Sequence, residues 1–130
     1  MSYTIDRSFP KADFGKVVEK TREALAGQGF GVLTEIDVKA TLKKKIGVEV
    51  NDYLILGACN PNMAYQAMQL EPRIGSMLPC NVIVRDTGGA IEVSAVDPLA
   101  SMAAIDNDRL KAVAGQVRGM LETMVGNIDA

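Results

Sequence analysis

The feature that most constrains the fold of this chain is a β-hairpin between residues 80 and 97. Two apolar runs, Cys80 to Asp86 and Ile91 to Asp97, flank a glycine-containing turn, Thr87-Gly88-Gly89-Ala90. A hairpin joins antiparallel neighbours, so the sequence predicts an antiparallel sheet rather than a parallel one. Asp97-Pro98 marks the end of the second strand.

Hydrophobic periodicity predicts further strands and helices on both sides of this hairpin. The predicted strands are 3–8, 32–38 and 52–59; the predicted helices run from near Pro10 to Gly27, from 61 to 70 and from 106 to 125, with a short helical segment at 39–46 and a loop at 71–79. The 52–59 run is so apolar that it predicts a central strand covered on both faces. The order β-α-β-β-α-β-β-α predicts an α+β fold, with helices on one face of a mostly antiparallel sheet.

Size and composition favour one domain over residues 1–130. The chain has 130 residues, 48% of them hydrophobic, and no change in composition that would mark a linker. It shows neither a signal-peptide core nor the roughly 18 apolar residues of a membrane span, which predicts a cytoplasmic protein with reduced thiols. A net charge of -2 argues against nucleic-acid binding.

The chain contains no histidine, which excludes several classes of chemistry. A Ser-His-Asp or Cys-His relay, a His-ligated zinc or haem and a His general base all need this residue. Any chemistry must therefore use Cys, Met, carboxylates, Lys or Tyr.

Two cysteines lie at the ends of predicted strands in similar local sequences, Cys59-Asn60-Pro61 and Leu78-Pro79-Cys80-Asn81. Cys59 precedes a predicted N-cap, where the helix dipole favours a thiolate. The alternative is that both cysteines are small buried hydrophobic residues. If the two strands are antiparallel, Cys59 and Cys80 lie at the same end of the sheet.

A soft-metal site is a further hypothesis, because Met63 and Met77 lie within four residues of Cys59 and Cys80. Thiolate with thioether is the ligand set that Cu(I) selects, so these four residues are the candidate metal ligands. Methionine in a helix is also a common core residue, and two cysteines alone do not complete a zinc site.

Two strand faces offer other possibilities. Tyr53 and Gly57 lie on one face of the predicted 52–59 strand and could line a ligand pocket, since Gly57 leaves room. Glu35 and Asp37 share a strand face and could form a carboxylate pair that acts with Tyr53 in an enzyme, or could simply keep an edge strand soluble.

The motifs also resemble a known family. The segments that carry the resemblance are Gly29 to Leu33, Glu35 to Val38, Tyr53 to Pro61, Leu78 to Val82 and Asp97-Pro98. Together they are similar to the family called domain of unknown function 302. The resemblance implies a small α+β fold like the TATA-box-binding-protein repeat, with a strongly curved antiparallel sheet and usually a homodimer. It implies no activity.

The sequence thus favours a small homodimeric binding module that is not an enzyme, with a ligand or partner site at Cys59, Asn60, Pro61, Cys80 and Asn81. Tyr53 joins this predicted site from the strand before it. The alternative is a protein that handles thiol redox chemistry, sulfur transfer or a soft metal such as Cu(I) through the two cysteines. Neither a cofactor nor a particular ligand is predicted.

Overall fold

The computed structural model describes residues 2–130 as five strands and five helices. The strands are β1 (Thr4–Pro10), β2 (Gly31–Asp37), β3 (Tyr53–Cys59), β4 (Cys80–Asp86) and β5 (Ala90–Val96). The helices are α1 (Phe14–Gly27), α2 (Val38–Ile46), α3 (Pro61–Leu70), α4 (Pro98–Ser101) and α5 (Asp108–Gly126), with a 3-10 helix at Pro72–Met77. Residue 1 of the predicted domain lies outside the described residues.

The strands form one open sheet in the order β1-β5-β4-β3-β2, and every neighbouring pair is antiparallel. The predicted hairpin is β4 and β5, joined by a turn in which Gly88 adopts a φ of 101°. This positive φ suits glycine, which has no Cβ to clash with the backbone. The α+β fold with an antiparallel sheet is confirmed.

Short polar side chains fix where the helices begin. Asp13 accepts a hydrogen bond from the backbone N–H of Lys16, so α1 begins at Phe14. The predicted start near Pro10 is therefore wrong, because Pro10 is the last residue of β1. Asn60 caps α3 as predicted.

The second half of the chain holds more helix than the sequence predicted. Asn107, rather than the predicted Asp106, caps the last helix by accepting from the N–H of Leu110. The short helix α4 follows Asp97, which accepts from the N–H of Leu99. The predicted 71–79 loop contains the 3-10 helix.

The main core lies between the sheet and helices α1 and α5. Alternate residues of β3, Leu54, Leu56 and Ala58, are buried in it, together with residues of β4 and β5. On the other face of the strand, Tyr53 and Ile55 are only partly buried, while Gly57 is buried. The prediction that this strand is covered on both faces is therefore wrong: its apolar run reflects one core face and a partly exposed apolar second face.

A second, smaller hydrophobic cluster lies beside the main core, where α3 and the 3-10 helix meet α4 and the first half of α5. Its buried residues are Ala67, Ile74, Met102, Leu110, Val113 and Ala114. Asn107 ties this region together, because its side-chain amide donates to the carbonyl oxygen of Leu70 at 3.0 Å. Within residues 2–130, the helices all lack the length and apolar character that crossing a membrane requires.

Candidate functional site

The six residues predicted to form one site are divided between two regions of the structure. Cys59, Asn60 and Cys80 line a small interior cavity between the sheet and α3. Tyr53 and Asn81 line a groove on the opposite face of the sheet, which we call the open face. Pro61 is the exposed first residue of α3.

The interior cavity lies between the main core and the second cluster and has a volume of about 30 Å³. Its wall is almost entirely apolar; it includes Phe30, Ala58, Met63, Ala64, Leu78, Met102 and Val117. One water needs about 10–15 Å³ and two or more polar partners, so a cavity this small and apolar suits no more than a very small molecule. Asn60 is committed to the local fold, because it caps α3 and donates to the carbonyl oxygen of Gln28.

The two cysteines are free and do not form a pair. β3 and β4 are antiparallel, as the hypothesis of a shared sheet end required, and Cys80 lies opposite Ala58. Cys59, the last residue of β3, is partly exposed and borders the same cavity, but no disulfide joins the two thiols. The predicted cysteine pair is therefore not confirmed.

Burial makes the Cys80 thiol a weak acid. It raises the pKa of Cys80 from its ordinary value of 9.0 to about 11, and Cys59 adds a smaller electrostatic contribution. Desolvation disfavours the charged form of any buried group, so this thiol stays protonated at neutral pH. A protonated thiol is neither the reactive nucleophile nor a ready metal ligand.

The four candidate soft-metal ligands are only partly brought together. Met63 lines the cavity with both cysteines, whereas Met77 is exposed at the end of the 3-10 helix. Met102, which the sequence analysis did not single out, lines the cavity instead. Among residues 2–130, no group of three or more His, Cys, Asp or Glu side chains is placed to hold a metal ion.

The open face holds a much larger concave site, a groove of about 550 Å³. It is lined by residues of four strands and of the segment before β1: Tyr3, Thr4, Asp6, Tyr53, Asn81, Ile83, Arg85, Glu92, Ser94 and Val96. The strand register explains this grouping, because side chains opposite each other on paired strands lie on the same face. The volume falls within the roughly 300–1,000 Å³ typical of small-molecule sites.

A polar network forms one end of the groove. Arg85 lies opposite both Tyr53 on β3 and Glu92 on β5. Its Nε donates to Glu92 Oε1 at 2.9 Å, and the Ser94 hydroxyl donates to the same oxygen at 3.4 Å. The exposed carboxylate of Asp6, opposite Ser94, adds a second acceptor. The groove therefore offers hydrogen-bond donors, acceptors and aromatic rings above a floor that includes Ile83 and Val96.

Gly57 does not leave room for a ligand. A Cβ at this position would lie 2.8 Å from Cγ of Pro79 and would also overlap the hydroxyl of Thr34. The space beside Gly57 is already filled by the chain's own side chains, and this close approach is what requires glycine here.

Glu35 and Asp37 do share a face of β2, but both are engaged in local structure. Glu35 is ion-paired with Arg22 of α1, and Asp37 caps α2 by accepting from the N–H of Ala40. Each lies opposite a core-facing residue of β3, so both carboxylates are on the α1 side of the sheet while Tyr53 is on the open face. The three residues predicted for an enzyme are not assembled into one site.

Sequence reasoning missed most of the groove, although the sequence carries a signal for it. Alternation along β4 and β5 places Asn81, Ile83 and Arg85 on one face, with Glu92 and Ser94 facing them across the hairpin. A register counted outward from the hairpin turn would have paired Arg85 with Glu92. The two cysteines lie away from this face, at the ends of β3 and β4.

Comparison with known proteins identifies the family. A search of curated proteins gave no match. The fold is similar to the crystal structure of an uncharacterized conserved protein DUF302 from Bacillus stearothermophilus, with a TM-score of 0.92 and 22% sequence identity, covering 99% of this chain and 100% of that one. The family model described as "Domain of unknown function DUF302" matches residues 5–128. The chain belongs to this family of unknown function.

Proposed function

We propose that the chain is a single-domain, homodimeric binding module rather than an enzyme, and that its binding site is the groove on the open face. The observation that carries the proposal is the groove itself, about 550 Å³ and lined by polar and aromatic side chains of four strands. The interior cavity of about 30 Å³ is too small for the same role.

The ligand that best fits this groove is a small polar molecule with an apolar part. Arg85 offers donors, Glu92 and Asp6 offer acceptors, and Ile83 and Val96 offer apolar contact. With two carboxylates and one guanidinium, the groove repels rather than attracts a phosphate backbone, so the proposal includes no nucleic-acid partner. A cytoplasmic location remains part of the same proposal.

The test is a fragment screen observed by 1H–15N NMR of the labelled full chain. We expect fragments that combine a ring with a polar group to shift the amides of Tyr53, Asn81 and Arg85. An Asn81→Ala variant should weaken those shifts, while Tyr65→Phe, a matched change on the exposed face of α3, should leave them unchanged. Shifts confined to Met63 and Cys80, or no shift in the groove for any fragment, would contradict the proposal.

The alternative function, thiol or soft-metal handling, draws on one observation: two cysteines and two methionines contribute to the wall of the same cavity. The raised pKa of Cys80 weighs against it. Titration of the anaerobic protein with Cu(I), against a competing chelator, tests it directly. Tight binding that Cys59→Ser abolishes without unfolding the chain would favour this function over the groove.

A further inference from the structure

The charges that line the groove do not cancel one another. Its charged residues are Asp6, Arg85 and Glu92, of which Arg85 and Glu92 form an ion pair. Within residues 2–130, Asp6 has no ion-pair partner. Its neighbour Arg7 lies opposite the buried Val93 and donates to carbonyl oxygens at the end of α5, so this cation belongs to the covered face. The groove therefore presents one uncompensated negative charge, on β1.

The guanidinium group of Arg85 has donors to spare. In the described part of the chain its side chain donates one hydrogen bond, from Nε to Glu92 Oε1 at 2.9 Å, and it is 43% exposed. The two terminal amino groups form a planar fork, which matches the two oxygens of a carboxylate. Because Glu92 already holds Nε, the fork is partly oriented before a ligand arrives. Arg85 is therefore an anion site on the β4 side of the groove.

The anion site and the uncompensated carboxylate are separated by one strand. Arg85 lies opposite Glu92 on β5, and Asp6 on β1 lies opposite Ser94, the next open-face residue of β5. Paired strands lie about 4.8 Å apart and rise about 3.4 Å per residue, so the Cα atoms of Arg85 and Asp6 are roughly 11–12 Å apart. The two side chains cover part of this distance, so one small molecule can reach both charges.

The surface between the two charges is low, apolar and bordered by aromatic rings. Ser94 is 5% exposed, and its hydroxyl donates to Glu92 Oε1 at 3.4 Å, longer than the 2.5–3.0 Å usual for a hydroxyl donor, so a ligand can compete for it. Ile83 lies opposite Ser94 and supplies apolar contact. Tyr3, which is 72% exposed, and Tyr53 add rings that can pack on an apolar body or against a cation.

We propose that the groove binds an ω-amino acid, a small zwitterion whose carboxylate and ammonium groups lie at opposite ends of an apolar body. The carboxylate pairs with Arg85 and the ammonium with Asp6. This inference rests on the proposed function and names the chemical class of its ligand. Asp6 would repel a ligand that carries only an anion, whereas the ammonium group of a zwitterion turns that repulsion into attraction.

The experiment compares four ring probes by 1H–15N NMR of the labelled full chain. They are 4-(aminomethyl)benzoate with both charges, its methyl ester with the ammonium alone, 4-methylbenzoate with the carboxylate alone, and methyl 4-methylbenzoate with neither. We expect the zwitterion to shift the amides of Tyr53, Asn81 and Arg85 with a dissociation constant at least about 5-fold below that of any other probe. Added salt should reduce this preference, because exposed charges are screened.

Asp6→Asn removes the charge and keeps the size of the side chain. It should raise the dissociation constant of the zwitterion to that of 4-methylbenzoate. Asp106→Asn, the same change at an exposed position outside the groove, should leave every constant unchanged. Equal binding of the four probes, or a preference for the zwitterion that survives Asp6→Asn, would overturn this ligand class but not the groove as the binding site. No shift in the groove with any probe would overturn both.

Discussion

The two faces of the sheet are built from the same strands but do different things. On β3, Leu54, Leu56 and Ala58 are buried under helices, whereas Tyr53 and Ile55 lie on the open face and are only partly buried. Because side chains alternate between the two faces of a sheet, a core position and a surface position are neighbours in the strand sequence. The covered face sets the free energy of unfolding, and the open face leaves its side chains free for a ligand or a partner.

This difference also decides the surroundings of the strand-end cysteines. A free cysteine at the end of a strand belongs to whichever face its position dictates, and Cys80 belongs to the covered face. Its environment is a core environment, with a protonated thiol. The polar and aromatic side chains with free surface lie on the other face, near the middle of the strands.

The sharpest test of the difference compares neighbours on β3. Leu56→Ala removes a fully buried side chain and should lower the free energy of unfolding by about 2–5 kcal/mol. Ile55→Ala, one residue away and half-buried, should cost about 1 kcal/mol or less when measured on the monomer. Urea unfolding of both variants checks this, and equal losses would show that the open face is as much a core as the covered one.

Alkaline pH should destabilise the covered face through Cys80. Its pKa is raised from 9.0 to about 11 on folding, so the folded state holds this proton more tightly than the unfolded state does. The resulting stability is fully present below pH 9 and is lost as the pH rises through 11, to a total of about 2–3 kcal/mol.

Urea unfolding of the native chain and of Cys80→Ala between pH 8 and 11 isolates this effect, because all other titrating groups are shared. The variant should lose less stability than the native chain over that range. Parallel curves for the two proteins would mean that Cys80 is not desolvated.

Gly57→Ala probes a tightly packed place on the open face. The new methyl group would meet the Pro79 ring and the Thr34 hydroxyl, so we expect a loss of about 1–3 kcal/mol. Adding Thr34→Ala should restore only part of the loss, because the rigid proline ring remains. Thermal unfolding measures both changes.

The matched control for this change is Gly119→Ala in α5, where a Cβ meets no atom within 4 Å. It should stabilise the chain by about 0.5–1 kcal/mol, since alanine is the better helix former. A tolerated Gly57→Ala would show that the space beside Gly57 is not filled.

The smallest effect is expected for the polar network of the groove. Arg85→Met breaks a partly exposed ion pair with Glu92 and should change the free energy of unfolding by less than about 1 kcal/mol. The same variant should abolish the fragment-induced NMR shifts of the groove. A large loss of stability with unchanged shifts would reverse the roles assigned to the two faces.

Local signals in the sequence predicted the fold well, because each element carries its own signal. Asn60-Pro61 specifies a helix start, and the hairpin turn specifies antiparallel pairing. The sequence alone does not decide between Asp106 and Asn107 as the N-cap of the last helix. Asn107 is the N-cap in the structure, where its side chain also donates a hydrogen bond to the carbonyl oxygen of Leu70 at the end of α3.

The site was harder to predict, because its residues meet only through cross-strand pairing. Arg85 and Tyr53 are 32 positions apart in the sequence. Predicting that both line the groove requires the β3–β4 register, which pairs them directly. Tyr53 and Cys59 were assigned to one site, but they are the first and last residues of β3 and line different concave sites.

The boundary between the main core and the second hydrophobic cluster has a consequence for dynamics. Because the interior cavity lies along that boundary, α3, the 3-10 helix and α4 share little packing with the sheet there. Regions joined by so few apolar contacts open as separate cooperative units, at a lower free energy than global unfolding. We therefore expect α3, the 3-10 helix and α4 to unfold before the sheet, which would expose Cys80 to solvent while the sheet is still intact.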